Sequence, residues 1–155
     1  MDAASAAPVG ALIQTLARLR TAAAPPPRAL PYLGLEHESG TAFHLLDLLS
    51  RRGIFRKYEL VLEIGAGLGG HARWMGVRLG CDVVGTTPTA GEADAANALT
   101  RRTQAATRVD FVAAHPDRLP FGRGRFTHVW IVEALPRVPD VASAVFEAPR
   151  LPLGS

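Results

Sequence analysis

The stretch Glu63-Ile64-Gly65-Ala66-Gly67-Leu68-Gly69-Gly70 constrains this chain more than any other. It comes directly after the apolar run Leu60-Val61-Leu62 and leads into residues of helical character that end at Gly80. Glycines at this spacing let the backbone take positive φ and remove the Cβ atoms that would hold a ligand away, while the next helix presents free N–H groups. A strand, a glycine turn and a helix in that order form a ligand cradle at the carboxyl end of the strand, where open α/β sheets bind ligands.

The flanking pattern agrees. Strands are expected over 60–65, 82–86, 108–114 and 126–132, with helices over 69–79 and 90–104 between them. That alternation implies βαβ units and a parallel sheet. A helix over about 41–52, capped by Ser39 or Thr41, carries Phe43, Leu45, Leu46, Leu48 and Leu49 on a broad apolar face and stops at Gly53. The segment 140–148 reads as one more helix. Residues 1–31 stand apart: Val9, Leu12, Ile13, Leu16 and Leu19 recur at helical spacing over about 8–22, and Pro25-Pro26-Pro27 separates the segment from the rest of the chain. Its acid-poor, arginine-containing character also permits an organelle transit peptide. The plainer expectation is an N-terminal helix and Pro-rich linker over 1–31, then one domain over 32–155, since 155 residues suit a single core.

Composition removes several classes. Cys81 is the lone cysteine, so no internal disulfide forms, and no Cys/His set has zinc spacing; no metal site is expected, and a reducing, cytoplasmic setting is the default. Sixteen of the seventeen basic residues are arginine, Lys57 being the exception, but they are scattered along the chain and not gathered into a stripe with aromatics. A nucleic-acid partner is therefore not expected. No apolar run approaches the roughly 20 residues that span a bilayer.

The cradle admits two ligand classes. Counting from Gly65, Gly70 completes the G-x-G-x-x-G spacing of a dinucleotide site, whose pyrophosphate sits on the helix N-terminus. Glu63 argues against it, because a carboxylate at the strand end repels a pyrophosphate. S-adenosylmethionine carries an ammonium group that the same carboxylate balances.

From about residue 58 to 140 the chain resembles the class I S-adenosylmethionine-dependent methyltransferases, in their small-molecule branch of ubiquinone/menaquinone and sarcosine type. VLEIGAGLGG is similar to the family's first motif, VVGTTPT at 83–89 to its second-strand motif and AANALTRR at 95–102 to the helix after it. RLPF at 118–121 and WIVEALPRVPD at 130–140 are similar to the third- and fourth-strand motifs. The resemblance implies a Rossmann-like parallel sheet with flanking helices, in the strand order 3-2-1-4. It also implies S-adenosylmethionine as cofactor and a small-molecule acceptor.

Carried over by position, the resemblance implies that Glu63, Gly65 and Gly67 border the methionine part of the cofactor, that Gly69 continues the loop, and that Ala66 belongs with them to the cofactor-binding set. Thr87 stands where relatives place an acidic residue for the ribose hydroxyls, and Glu92, five residues on, is poorly placed to replace it. His115 stands where they place an aspartate for the adenine amino group; a neutral histidine retains one acceptor nitrogen for that contact. Glu133 and Arg137 fall in the fourth motif on the acceptor side, Arg137 replacing a histidine. His44, His71 and His128 carry no recognisable spacing and are taken as core or surface residues. No catalytic residue is implied, because the sulfonium is already activated and the protein mainly aligns acceptor and methyl.

The resemblance also implies that the fold is incomplete, with about four strands where the plan has seven. The fourth strand is then expected to be an edge covered by the N-terminal helix, a second copy or a partner chain. The alternative reading is a catalytically silent methyltransferase-like module that pairs with itself or a partner.

Overall fold

The structure, a computed structural model, describes residues 41–52, 55–122, 124–132, 134 and 142. Three helices and four strands follow one another along it, with β3 and β4 consecutive: α1 (Thr41–Arg51), β1 (Leu60–Ile64), α2 (Gly70–Arg78), β2 (Asp82–Thr87), α3 (Ala90–Thr100), β3 (Val109–Ala113) and β4 (His128–Trp130). The sheet is parallel throughout, in the order β3-β2-β1-β4, as expected. The helix expected over 8–22 lies outside the described residues, and of that over 140–148 only Ala142 lies within them.

Strand alternation sorts the side chains onto two faces. Val61, Val83, Val109 and Phe111 join Ala72 and Met75 of α2 and Ala93 and Ala96 of α3 in one core. Leu62 and Ile64 turn the other way and pack with Leu119 and Phe126. Both faces of the central strand are covered, which is why β1 reads as a nearly continuous apolar run. On α1 the apolar face is narrower than expected. Leu46 is fully buried and Leu49 packs against the core, whereas Leu45 and Leu48 are exposed.

Register places Trp130, Glu63, Gly85 and Phe111 in one row across β4, β1, β2 and β3. Residues in register on parallel strands point the same way, so this row faces α2 and α3. Gly85 leaves a gap in it, and a Cβ there would lie 2.5 Å from Phe111 Cε1 and 2.8 Å from Ala66 Cβ. The Phe111 ring fills the gap. At the free edge of β3, Asn97 of α3 grips the same residue through its backbone, donating to the Phe111 carbonyl at 2.8 Å and accepting from the Phe111 amide at 2.9 Å. Among the described residues no strand pairs with the outer side of β4.

Candidate functional site

The carboxyl ends of the strands bring most of the expected residues to one edge. Ile64 pairs with Thr86, so Thr87 lies level with Gly65, and Thr87 in turn pairs with Ala113, two residues before His115. The loop from Gly65 to Gly69 rises from β1 into α2 across this edge. Its backbone is fixed by neighbours: Ala66 N donates to the Thr86 carbonyl at 2.8 Å, and Gly69 N to the Ala66 carbonyl at 2.9 Å. Thr86 Oγ1 accepts from Gly65 N at 3.4 Å, and the buried Arg73 donates to the Leu68 carbonyl and to Thr100 Oγ1. Arg73 thereby ties the loop to the end of α3.

Two glycines in the loop do different work. Gly69, at φ 80° as N-cap of α2, sits directly over the Phe111 ring, and a Cβ there would enter that ring. Gly67, at φ 54°, has nothing among the described residues within 4 Å of where its Cβ would stand. The first is needed for packing inside the protein. The second leaves the outer side of the loop open to a close-approaching ligand.

Glu63 is only 1% exposed at the foot of the loop. Its Oε1 lies 3.2 Å from Nδ1 of His71, itself buried in the first turn of α2, and an ionised carboxylate only accepts, so Nδ1 carries the proton. Its Oε2 is buried with no hydrogen-bond partner among the described residues, as is Nε1 of its row neighbour Trp130. A buried carboxylate oxygen without a partner costs stability unless something cationic or proton-bearing fills the position. The residues therefore fit a ligand with an ammonium group against an open glycine loop. The partnership with His71 was not legible in the spacing, because it spans a turn of eight residues and matches no helix or strand period.

The remaining positions are less committed. Thr87 is buried, and its hydroxyl donates to the Thr89 carbonyl at 3.0 Å, leaving acceptor capacity only. Glu92 lies in the first turn of α3, whose cap Thr89 accepts its amide, and partial burial raises its carboxyl above the usual value. His115 is exposed; its Nδ1 lies 3.4 Å from Asp117 N and 3.3 Å from Asp117 Oδ2. If Nδ1 accepts the amide, Nε2 bears the proton and cannot accept an adenine amino group. Only the tautomer with Nδ1–H donating to Asp117 leaves Nε2 as an acceptor. Glu133 and Arg137 lie outside the described residues. Among those described, no three His, Cys, Asp or Glu side chains gather as metal ligands, and no helix is long and apolar enough to cross a membrane.

Residues 62–152 match the family described as "Methyltransferase domain". The chain belongs to that family. The methyltransferase resemblance drawn from VLEIGAGLGG and the three later strand motifs is thus borne out. The chloroplastic tocopherol O-methyltransferase of Arabidopsis thaliana is 31% identical to this methyltransferase domain over 96 residues, covering 62% of this chain and 28% of its own. Among solved structures, the geranyl diphosphate C-methyltransferase of Streptomyces coelicolor A3(2), in complex with Mg2+, geranyl diphosphate and S-adenosyl-L-homocysteine, is 27% identical with a TM-score of 0.51. That match covers 61% of this chain and 34% of the other. The YcgJ protein of Bacillus subtilis is 25% identical with a TM-score of 0.58, over 68% and 44% of the two chains. The matched stretch spans 28%, 26% and 33% of the length of the first three curated relatives.

Proposed function

We propose that this methyltransferase domain binds S-adenosylmethionine and transfers its methyl group to a small-molecule acceptor. The observation that carries the reading is the buried Oε2 of Glu63, without a hydrogen-bond partner among the described residues, at the end of the strand that runs into the glycine loop. When bound, the cofactor supplies a methyl group already activated on a sulfonium. The chain's own task is to hold that group and to keep an acceptor atom in line with it.

In this reading Glu63 receives the ammonium group, and the loop through Gly65, Ala66, Gly67 and Gly69 lies against the methionine portion, with Gly67 as its open point. Thr87 accepts from a ribose hydroxyl, and His115 accepts from the adenine amino group in the tautomer that leaves Nε2 free. Glu133 and Arg137 contact the acceptor. Relatives that act on tocopherol, sterols and geranyl diphosphate support a small-molecule acceptor, and those three compounds form the first panel to assay. A cytoplasmic setting, and cover of the β4 edge by a second copy or a partner chain, complete the proposal.

Titration calorimetry with S-adenosylmethionine and S-adenosylhomocysteine tests it. Saturable heat below hundreds of micromolar is expected. A folded protein giving none would overturn the enzyme reading and leave a silent docking module. Thr87→Asp replaces a neutral hydrogen bond with a charge-assisted one, a difference of about 1 kcal/mol or more. Affinity should rise about fivefold or more.

A further inference from the structure

The contact between His71 and Glu63 does more than satisfy a buried histidine. A carboxylate at a strand end can rotate about its last torsion, and its neighbours in the row offer no hydrogen bond to hold it. On the β2 side stands Gly85, with no side chain, and on the β4 side the indole nitrogen of Trp130 makes no hydrogen bond among the described residues. His71 is different. It holds Oε1 at 3.2 Å, with the His71 and Glu63 side chains only 8% and 2% exposed. Its backbone is set by the first turn of α2, which Gly69 starts and which Arg73 anchors through its amide to the Gly69 carbonyl at 3.0 Å. One oxygen fixed from a rigid helix leaves the direction of the other determined.

We propose that His71 is a positioning residue for the cofactor: its Nδ1–H holds Glu63 Oε1 and thereby aims Oε2 at the ammonium group of S-adenosylmethionine. The proposal rests on the methyltransferase reading and adds to it a residue outside the glycine motif. His71 touches no part of the ligand in this arrangement. The effect proposed here passes through Glu63, at the amino-acid end of the cofactor.

That location supplies the test. 5′-Methylthioadenosine keeps the adenosine and the sulfur but lacks the amino-acid group, so it reports the rest of the pocket without the Glu63 contact. In His71→Asn the amide nitrogen takes the place of Nδ1, and binding of S-adenosylmethionine should stay within about twofold of wild type. In His71→Gln the amide extends toward the Nε2 position and misses Oε1. There S-adenosylmethionine and S-adenosylhomocysteine should bind about tenfold more weakly, the loss of one charge-assisted hydrogen bond, while 5′-methylthioadenosine is unchanged. His71→Ser, too short to reach Oε1, should give the same split and carries the test if the Gln variant does not fold. Equal losses for all three ligands, or no loss for any, would overturn the role of His71. Failure of the wild-type domain to bind any of them overturns the methyltransferase reading instead, and this proposal with it.

Discussion

Gly69 is the residue at which backbone and packing demands coincide. Its φ of 80° is left-handed, and the Phe111 ring occupies the place of its missing Cβ. Gly69→Ala would incur left-handed strain and overpacking together, each of order 1–3 kcal/mol. A loss of about 2 kcal/mol or more is expected in urea unfolding, and a loss within 0.5 kcal/mol, the usual range for a neutral surface change, would contradict the packing described. At this scale the sequence was legible where chemistry repeats in a known order. Glu63 and the glycines announce themselves because strand, turn and helix succeed one another without interruption. Thr87 could be placed from the sequence but not understood, since its hydroxyl is engaged by the Thr89 carbonyl through a turn that leaves no periodic trace.

Among the elements, α3 and β3 show how an exposed sheet edge is closed without another strand. Asn97 presents an amide in the manner of a neighbouring backbone and satisfies both the N–H and the C=O of Phe111. Asn97→Ala removes two hydrogen bonds at a partly buried edge, at about 0.5–1.5 kcal/mol each. The sharper readout is hydrogen exchange: the Phe111 amide should lose protection far more than the Val83 amide, which bonds inside the sheet to the Arg108 carbonyl. Element identity was legible from the alternation of apolar runs with helical stretches, and the strand order from the resemblance to the methyltransferase family. Two lengths were not. The helix expected to reach residue 104 ends at Thr100, whose hydroxyl bonds back to the Ala96 carbonyl at 2.8 Å and whose carbonyl accepts from Thr103. The strand expected over 126–132 pairs with β1 only over 128–130, opposite Val61–Glu63.

For the molecule as a whole, Cys81 reports cohesion. It lies before β2 with no exposed surface, and its thiol donates to the Arg56 carbonyl at 3.4 Å. Burial, aided by the Glu59 and Asp82 carboxylates, pushes the thiol up to about 11 from 9.0, against the opposing pull of Arg108. The thiol therefore stays protonated and shielded at neutral pH, and thiolate is the reactive form. A disulfide-exchange reagent should label it only as fast as the domain opens, and labelling should accelerate across the urea transition. The same shift fixes the sign of the pH dependence. The contribution of the folded thiol is constant below pH 9 and is lost as pH rises from about 9 to about 11, because the unfolded chain gives up its proton first. Rapid labelling of native protein at pH 7 would contradict both statements.

The Phe111 ring, lying over Gly85 and under Gly69, makes positions 69, 85 and 111 share one volume although 42 residues separate the first from the last. Their substitutions cannot be accepted in an arbitrary order. Gly85→Ala arriving first meets a filled space, whereas Phe111→Leu arriving first opens a cavity that Gly85→Ala then fills. A lineage changing this part of the sheet must pass through the looser intermediate, so the same alanine that is harmful in one background becomes restorative in another.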